Sequence, residues 1–238
     1  MIKYQQIAAE IEKYIEENAL QQGDKLPVLE ALMAHFNVSK STITKALDLL
    51  EKKGAVFQVR GSGIFVRKQK RKGYMDLLSN QGFKKELKGV QITLKVIELE
   101  VKKPTKEAAH SLNIGLDDDV YYVKRVRYMN GQTLCLEESY YNKSVVTYLN
   151  KEIVSKSIFE YIQKGLGVKI GFSDVYLYAG KLKQEEAKHL CLDSEAPAFY
   201  VETIFHLTNG QPFDFSKVAY HYEQSQFFVQ TNSYFSKS

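Results

Sequence analysis

The 238-residue sequence holds only two cysteines, Cys135 and Cys191. Two isolated thiols exclude a disulfide framework and a cysteine-rich metal site, and both are expected as small core residues. The five histidines, at positions 35, 110, 189, 206 and 221, are scattered. None has metal-ligand spacing or pairs recognisably with a serine or cysteine, although His206 and His221 could meet across a hairpin. With no coherent acid, base and nucleophile, the sequence assigns no catalytic residue, metal or cofactor. Gly61-Ser62-Gly63 lacks the lysine and helix of a phosphate-binding P-loop. Met1 leads straight into an amphipathic stretch, and no apolar run nears the roughly 20 residues that span a membrane. A cytoplasmic protein without a membrane partner is therefore expected. Low-complexity segments and coiled-coil heptads are also lacking.

A hydrophobic content of 44% over this length suffices for two compact domains. Charge divides them. Residues 1–72 carry 13 Lys+Arg against 8 Asp+Glu, a net of +5, whereas residues 73–238 carry 20 of each. The whole excess of the chain thus lies in the first third, the footprint of a small basic domain that meets nucleic acid.

Residues 26–66 read as helix, tight turn, helix and a two-stranded wing, a winged helix-turn-helix that places its second helix in a DNA major groove. Ser39 can cap that helix by accepting a free backbone N–H. Ile43, Ala46, Leu47 and Leu50 form one apolar stripe, and Gly54 ends the helix behind Lys52 and Lys53, which oppose its dipole. Lys40, Ser41, Thr44 and Lys45 lie on the opposite face, where hydroxyls and cations suit phosphates and base edges. A solvated amphipathic helix would show the same face. The wing is expected as Ala55–Arg60 and Ile64–Arg67 around Gly61-Ser62-Gly63, with Arg60 at its tip. Upstream, Tyr4–Leu20 forms a further helix burying Ile7, Ala8, Ile11 and Ile15.

The order Tyr4-Gln5-Gln6-Ile7-Ala8, Gly23-Asp24-Lys25-Leu26-Pro27, Phe36-Asn37-Val38-Ser39-Lys40-Ser41-Thr42-Ile43, Ala46-Leu47 and Gly61-Ser62-Gly63-Ile64-Phe65-Val66 resembles the DNA-binding domain of the GntR family of bacterial transcription regulators, over nearly all of residues 2–67. The resemblance implies contacts to double-stranded operator DNA through Lys25, Ser39, Lys40, Ser41, Thr42, Thr44 and Lys45, and through Arg60, Gly61, Ser62 and Gly63 of the wing. This chain has Val28-Leu29-Glu30 where the family usually has Ser-Glu-Arg, and Lys40 and Thr44 where it usually has arginines. Glu30 would repel phosphate, and Thr44 cannot fork onto guanine.

Residues 68–89 are expected as a linker that opens with the basic run Arg67-Lys68-Gln69-Lys70-Arg71-Lys72, either solvated or reaching phosphates. Beyond it, residues 90–238 read as a mostly antiparallel α+β domain. Strands are expected at Leu94–Val101, Val120–Met129, Gln132–Tyr141, Asp174–Leu182, Phe199–Thr208 and Pro212–Tyr222. Short helices are expected after Pro104-Thr105, over Ser157–Lys164 and over Gln184–Cys191, and Asn130-Gly131 is a favoured hairpin turn.

Arg125 and Arg127, two apart on a strand, share a face with Tyr121 and Val123. Paired guanidiniums on a partly apolar face need an anion, which could be a protein carboxylate or a ligand's phosphate or carboxylate. An ideal two-residue turn at Asn130-Gly131 pairs Glu137 with Lys124 and sets Glu138 on the arginine face. A bulge would set Glu137 there instead. Asp214 and Tyr220, an even number apart, could face a common pocket, and core packing would equally explain Tyr220.

Pro104-Thr105, Val120 to Arg127, Asn130-Gly131-Gln132, Leu136-Glu137-Glu138-Ser139-Tyr140, Ser157-Ile158-Phe159, Ala196-Pro197 and Asn209-Gly210-Gln211-Pro212 resemble, in that order, the UTRA effector domain that accompanies the GntR domain in the HutC subfamily. The resemblance implies a chorismate-lyase-like fold that has lost catalysis and senses a small molecule. It implies effector contacts at Arg125, Arg127, Glu137, Ser157, Phe159, Asp214 and Tyr220, with Phe159 and Asp214 where the family often has Tyr and Glu. The expected protein is a homodimeric repressor released by a phosphosugar, or failing that by a small carboxylate. The rival is an enzyme of chorismate-lyase-like fold acting on a small carboxylate. An activator, or a DNA binder without an effector, is a third reading.

Overall fold

The computed structural model describes residues 2–67, 73–77 and 90–229. Most of the expected linker, with its basic run at 68–72, lies outside the described residues, as do residues 230–238. The chain divides into two compact units near position 72.

In the first unit, α1 (Lys3–Glu17) buries Ile7, Ala8, Ile11 and Ile15. It stops short of Leu20 because Asn18 Nδ2 donates to the Tyr14 carbonyl at 2.8 Å and Ala19 turns into the left-handed region at φ 49°. Helix α2 (Leu29–Phe36) ends the same way, at Asn37 with φ 49°. The chain then enters α3 (Lys40–Lys52) through Ser39, whose Oγ accepts the Thr42 N–H at 3.4 Å. The expected stripe of Ile43, Ala46, Leu47 and Leu50 is fully buried against Ile7, Ile11 and Leu32. Each large side chain so buried contributes about 1.5–3 kcal/mol.

The wing is an antiparallel pair, β1 (Val56–Val59) and β2 (Gly63–Val66). Its loop is Arg60-Gly61-Ser62, one residue earlier than expected. Ser62 N–H donates to the Val59 carbonyl, and Gly61 takes φ 76°. Residues ahead of α2 add to the wing, with Lys25 bridging Phe65 and Leu26 N–H donating to the Ile64 carbonyl.

The second unit begins inside the stretch read as a linker. Met75 in β3 (Met75–Asp76) is buried, and its N–H donates to the Gln226 carbonyl at 2.8 Å. The main body is a six-stranded antiparallel sheet made of β4 (Ile92–Lys102), β5 (Val120–Met129), β6 (Gln132–Asn142), β7 (Ile170–Lys181), β8 (Pro197–Leu207) and β9 (Pro212–His221). The spatial order is β4-β5-β6-β9-β8-β7, two three-strand meanders joined along β6 and β9. A final short strand, β10 (Phe227–Phe228), pairs with β3.

Helices cover both faces of this sheet. One face carries α4 (Lys106–Leu112), packed near Val120 and Phe215, and α7 (Gln184–Leu190), packed on Val126, Leu136 and Tyr200. The other carries α5 (Lys151–Val154) and α6 (Ile158–Lys164), whose Val154, Ile158 and Ile162 pack on Tyr121, Val123, Tyr141 and Phe213. This second face holds the arginines.

The β5–β6 hairpin settles which glutamate joins them. Asn130 and Gly131 take φ 51° and 83°, the twist a two-residue turn needs. Tyr128 pairs with Thr133 but Arg127 pairs with Cys135, so Leu134 is an extra, bulged residue. The slip sets Arg125 opposite Glu137 and Lys124 opposite Glu138.

Two expectations about isolated side chains change. Cys135 is buried, and burial raises its thiol to about 12, but Cys191 is exposed at the left-handed end of α7, with φ 57°. His206 and His221 do not meet: His206 pairs with Pro212 while His221 pairs with Ala198 at the far end of the hairpin. His206 instead stacks on Phe172, and His221 Nδ1 accepts the Glu223 N–H.

Candidate functional site

The outer face of α3 is built from short polar side chains. Lys40, Ser41, Thr44 and Lys45 are all exposed, while the residues between them point into the core. Ser39 Oγ lies 3.1 Å from Ser41 Oγ and 2.9 Å from Thr42 Oγ1 while it caps the helix. Ser39 and half-buried Thr42 therefore shape the helix start more than they extend outward. Among the described residues, no ion pair engages Lys40, Lys45 or Arg60, so all three cations remain available to an external anion.

Lys25 reaches the wing in a specific way. Its stem crosses Gly63, where a Cβ would lie 2.5 Å from Lys25 Cε. Gly63 takes φ 134°, so a side chain there would also strain the backbone. The wing is tied to α3 at its other end. Glu51 accepts the Gln58 backbone N–H at 3.2 Å and the Gln58 side-chain amide at 2.9 Å.

In the second unit the arginines are held by a protein carboxylate. Arg125 Nη2 and Arg127 Nη2 each donate to one oxygen of Glu137 at 2.6 Å. Arg125 also donates to the Val154 carbonyl at 3.1 Å, which ties the end of α5 to the cluster. Burial alone would raise the Glu137 pKa, but the two guanidiniums outweigh it and hold the carboxyl at about 2.

A second polar group continues from this cluster along the sheet. Ser139 Oγ lies 3.4 Å from Glu137 and 2.8 Å from Ser216 Oγ, and Ser216 donates to Asp214 Oδ1 at 2.7 Å. Asp214 is fully buried. Burial pushes its pKa well above the usual range, the Ser216 hydrogen bond opposes this, and the nearby Glu137 charge adds to it. Burial likewise raises Tyr141. Asp214 Oδ2, Tyr141 Oη and Arg125 Nε are buried without a hydrogen-bond partner among the described residues. Buried polar atoms left in this state cost about 1–3 kcal/mol each.

Arg125, Arg127, Glu137, Asp214 and Tyr220 thus share one sheet face, as the cross-strand register requires. Asp214 and Tyr220 stand six residues apart on β9, about 20 Å at the usual strand rise. Tyr220 packs edge-on against Phe227 near Met75 and Cys135, at the end away from Asp214. Phe159 packs on Phe205 at 4.6 Å and on Phe213 at 6.1 Å. Ser157 is exposed and caps α6 by accepting the Glu160 N–H at 3.3 Å. Ser139, Tyr141 and Ser216 were not singled out from the sequence. Ser139 and Tyr141 lie two and four residues from Glu137, so strand alternation already placed them on its face.

Comparison with known proteins assigns both units. Residues 3–66 match the family described as bacterial regulatory proteins, gntR family, and residues 87–226 match the UTRA domain. An HTH-type transcriptional regulator of Bacillus subtilis strain 168, YydK, described as uncharacterised, is 72% identical over 98% of this chain and 99% of its own. The crystal structure of a possible transcriptional regulator YydK from that organism superposes with a TM-score of 0.90 at 71% identity, covering 98% of this chain and all of that one. The Mannosyl-D-glycerate transport/metabolism system repressor MngR of Escherichia coli strain K12 is 27% identical over 94% of this chain and 93% of its own. These relatives are regulators, which disfavours the enzyme reading.

Proposed function

Since the chain belongs to the gntR family of bacterial regulatory proteins and is a transcription regulator with a UTRA effector-binding domain, we propose that it is a homodimeric repressor released from its operator by a small anionic effector. The observation that carries this reading is the buried Arg125–Glu137–Arg127 cluster beside Asp214 and Tyr141. Two guanidiniums converge on one buried carboxylate, and burial raises the pKa of the neighbouring Asp214 carboxyl. Guanidinium forks beside buried polar atoms that have no hydrogen-bond partner among the described residues suit a ligand that carries both an anionic head and hydroxyls.

A phosphosugar fits that description first and a small carboxylate second. The relative whose name refers to mannosyl-D-glycerate supports both the sugar class and the sign of regulation. Effector contacts are assigned to Arg125, Arg127, Glu137 and Asp214, with Ser139, Tyr141 and Ser216 supporting them. Phe159 forms an aromatic wall, and Ser157 and Tyr220 lie at the margins. Operator contacts are assigned to the α3 face and the wing, namely Lys25, Lys40, Ser41, Thr44, Lys45 and Arg60 with Gly61, Ser62 and Gly63, while Ser39 and Thr42 order the helix start. Cytoplasmic location follows from this role, and among the described residues no helix is long and apolar enough to cross a membrane.

The mechanism is a population shift. Effector binding favours a dimer geometry in which the two recognition helices no longer match their half-sites, with a coupling of about 1–3 kcal/mol between sites. A gel shift on the upstream DNA of its own gene, repeated with a panel of sugar phosphates and small carboxylates, tests it. A shifted band that one of these anions dissolves is expected. Chemical turnover of a panel member with no shifted band would overturn the reading in favour of an enzyme.

A further inference from the structure

From the hydrogen-bonding state of Thr44 we infer that this residue selects an A·T pair in the operator half-site. The inference rests on the proposed docking of α3 in the major groove and goes beyond it to the base it reads. Thr44 is exposed on the outer ridge of α3 with Ser41, Lys45 and Asp48. Its Oγ1 lies 2.9 Å from the Lys40 carbonyl oxygen. A carbonyl only accepts, so the Thr44 hydroxyl proton is committed inward. What this exposed residue leaves to a partner is a γ-methyl and an oxygen that can only accept.

A free threonine hydroxyl could donate to guanine O6 or N7, or accept from adenine or cytosine, and so would discriminate little. The committed hydroxyl removes the first option. In the major groove, donors appear only at adenine N6 and cytosine N4, and a methyl appears only on thymine. An A·T pair offers both a donor for the oxygen and a methyl for the methyl. A G·C pair offers the donor alone. Nothing else on the helix reverses this preference with a guanidinium fork, because the first arginine in the chain is Arg60 on the wing.

The experiment is selection from a randomised DNA duplex library with the full-length protein, sequenced in parallel for wild type, Thr44→Ala, Thr44→Ser and Thr44→Val. The wild type should enrich a site with one A·T pair per half that is lost in Thr44→Ala. Replacing that pair by G·C should weaken wild-type binding about tenfold. Thr44→Val should keep the preference for thymine over cytosine, and Thr44→Ser should lose it. The position is exposed and alanine is a better helix former than threonine, so the variants keep the fold. Thr44→Ala should also leave the salt dependence of binding unchanged, since no phosphate contact is removed. Enrichment of one common site by all four proteins, or a Thr44-dependent position that is G·C, would overturn the inference and spare the DNA-docking reading. Enrichment of no site by the wild type would remove that reading too, and the inference with it.

Discussion

Helix α3 and the arginine face of the sheet are both rich in polar side chains, yet they handle them in opposite ways. On α3 the hydroxyls bond to one another and to the local backbone, while Lys40 and Lys45 extend into solvent. On the sheet, charges are buried and paired at 2.6 Å, and neighbouring polar atoms have no hydrogen-bond partner among the described residues. An open surface must remain exchangeable, so its charges contribute little to stability and much to the association rate and salt dependence of binding. A buried cluster is rigid, and its removal is felt by the whole fold. Surface charge is thus separable from stability in the first unit, and buried charge is entangled with it in the second.

Deleting the shared carboxylate should break that contrast most severely. Glu137→Ala would leave Arg125 and Arg127 without their common counter-ion and should destabilise the full-length protein by about 3–5 kcal/mol in urea denaturation. The pH profile carries the same message. Glu137 has a folded-state pKa of about 2 against 4.5 ordinarily, so its contribution is complete above about pH 4.5 and is lost as pH falls through 2. That contribution is on the order of 3 kcal/mol and should be missing from the acid limb of the variant's stability curve.

Asp214 should act with the opposite sign. Its folded-state pKa is raised, so its contribution is present at low pH and declines as pH rises above the ordinary carboxylate range. Asp214→Asn, which stays neutral and keeps an acceptor for Ser216, should therefore raise stability at pH 8 and change little near pH 3. Denaturation midpoints at the two values check this. Equal shifts at both would show that Asp214 is ionised in the folded protein.

In the first unit the effects shrink. Ser39→Ala removes the cap of α3 and should cost about 1 kcal/mol, read by thermal or urea unfolding. Lys45→Ala should change stability by less than about 0.5 kcal/mol. The same variant should lower the slope of log affinity against log salt by about 0.9, as should Arg60→Ala. An unchanged slope for both would take the two cations out of the DNA interface.

The order of elements in the first unit was legible in the sequence, with its ends placed to within a few residues, because local signals determine it. Ser39, the stripe from Ile43 to Leu50 and the wing glycines each act within a few positions of themselves. The main strands of the second unit were legible from alternation, and the Asn130-Gly131 turn from its residue types. The register was not. Whether Glu137 or Glu138 met the arginines depended on one bulged residue, Leu134, which nothing local announces. The Ser139–Ser216–Asp214 chain was hidden for the same reason, since it crosses from β6 to β9 between residues 77 positions apart. Short pairings such as Met75 with Gln226 carry too few residues to form a pattern, and so part of an expected linker proved to be packed structure.

The bulge at Leu134 has one more implication. Two acids stand side by side at 137 and 138, and two bases at 124 and 125. Without the bulge, Glu137 would lie across from Lys124 and Glu138 would turn toward the arginines, so each side of the sheet would still find an acid near a base. Coulombic attraction therefore cannot proofread the alignment of these two strands. Misalignment is opposed instead by the alternation of the strand as a whole, because a one-residue slip would turn buried Leu136 and Ser139 each onto the opposite face, and loss of the bulge would exchange the partners of five ionic groups without altering any of them.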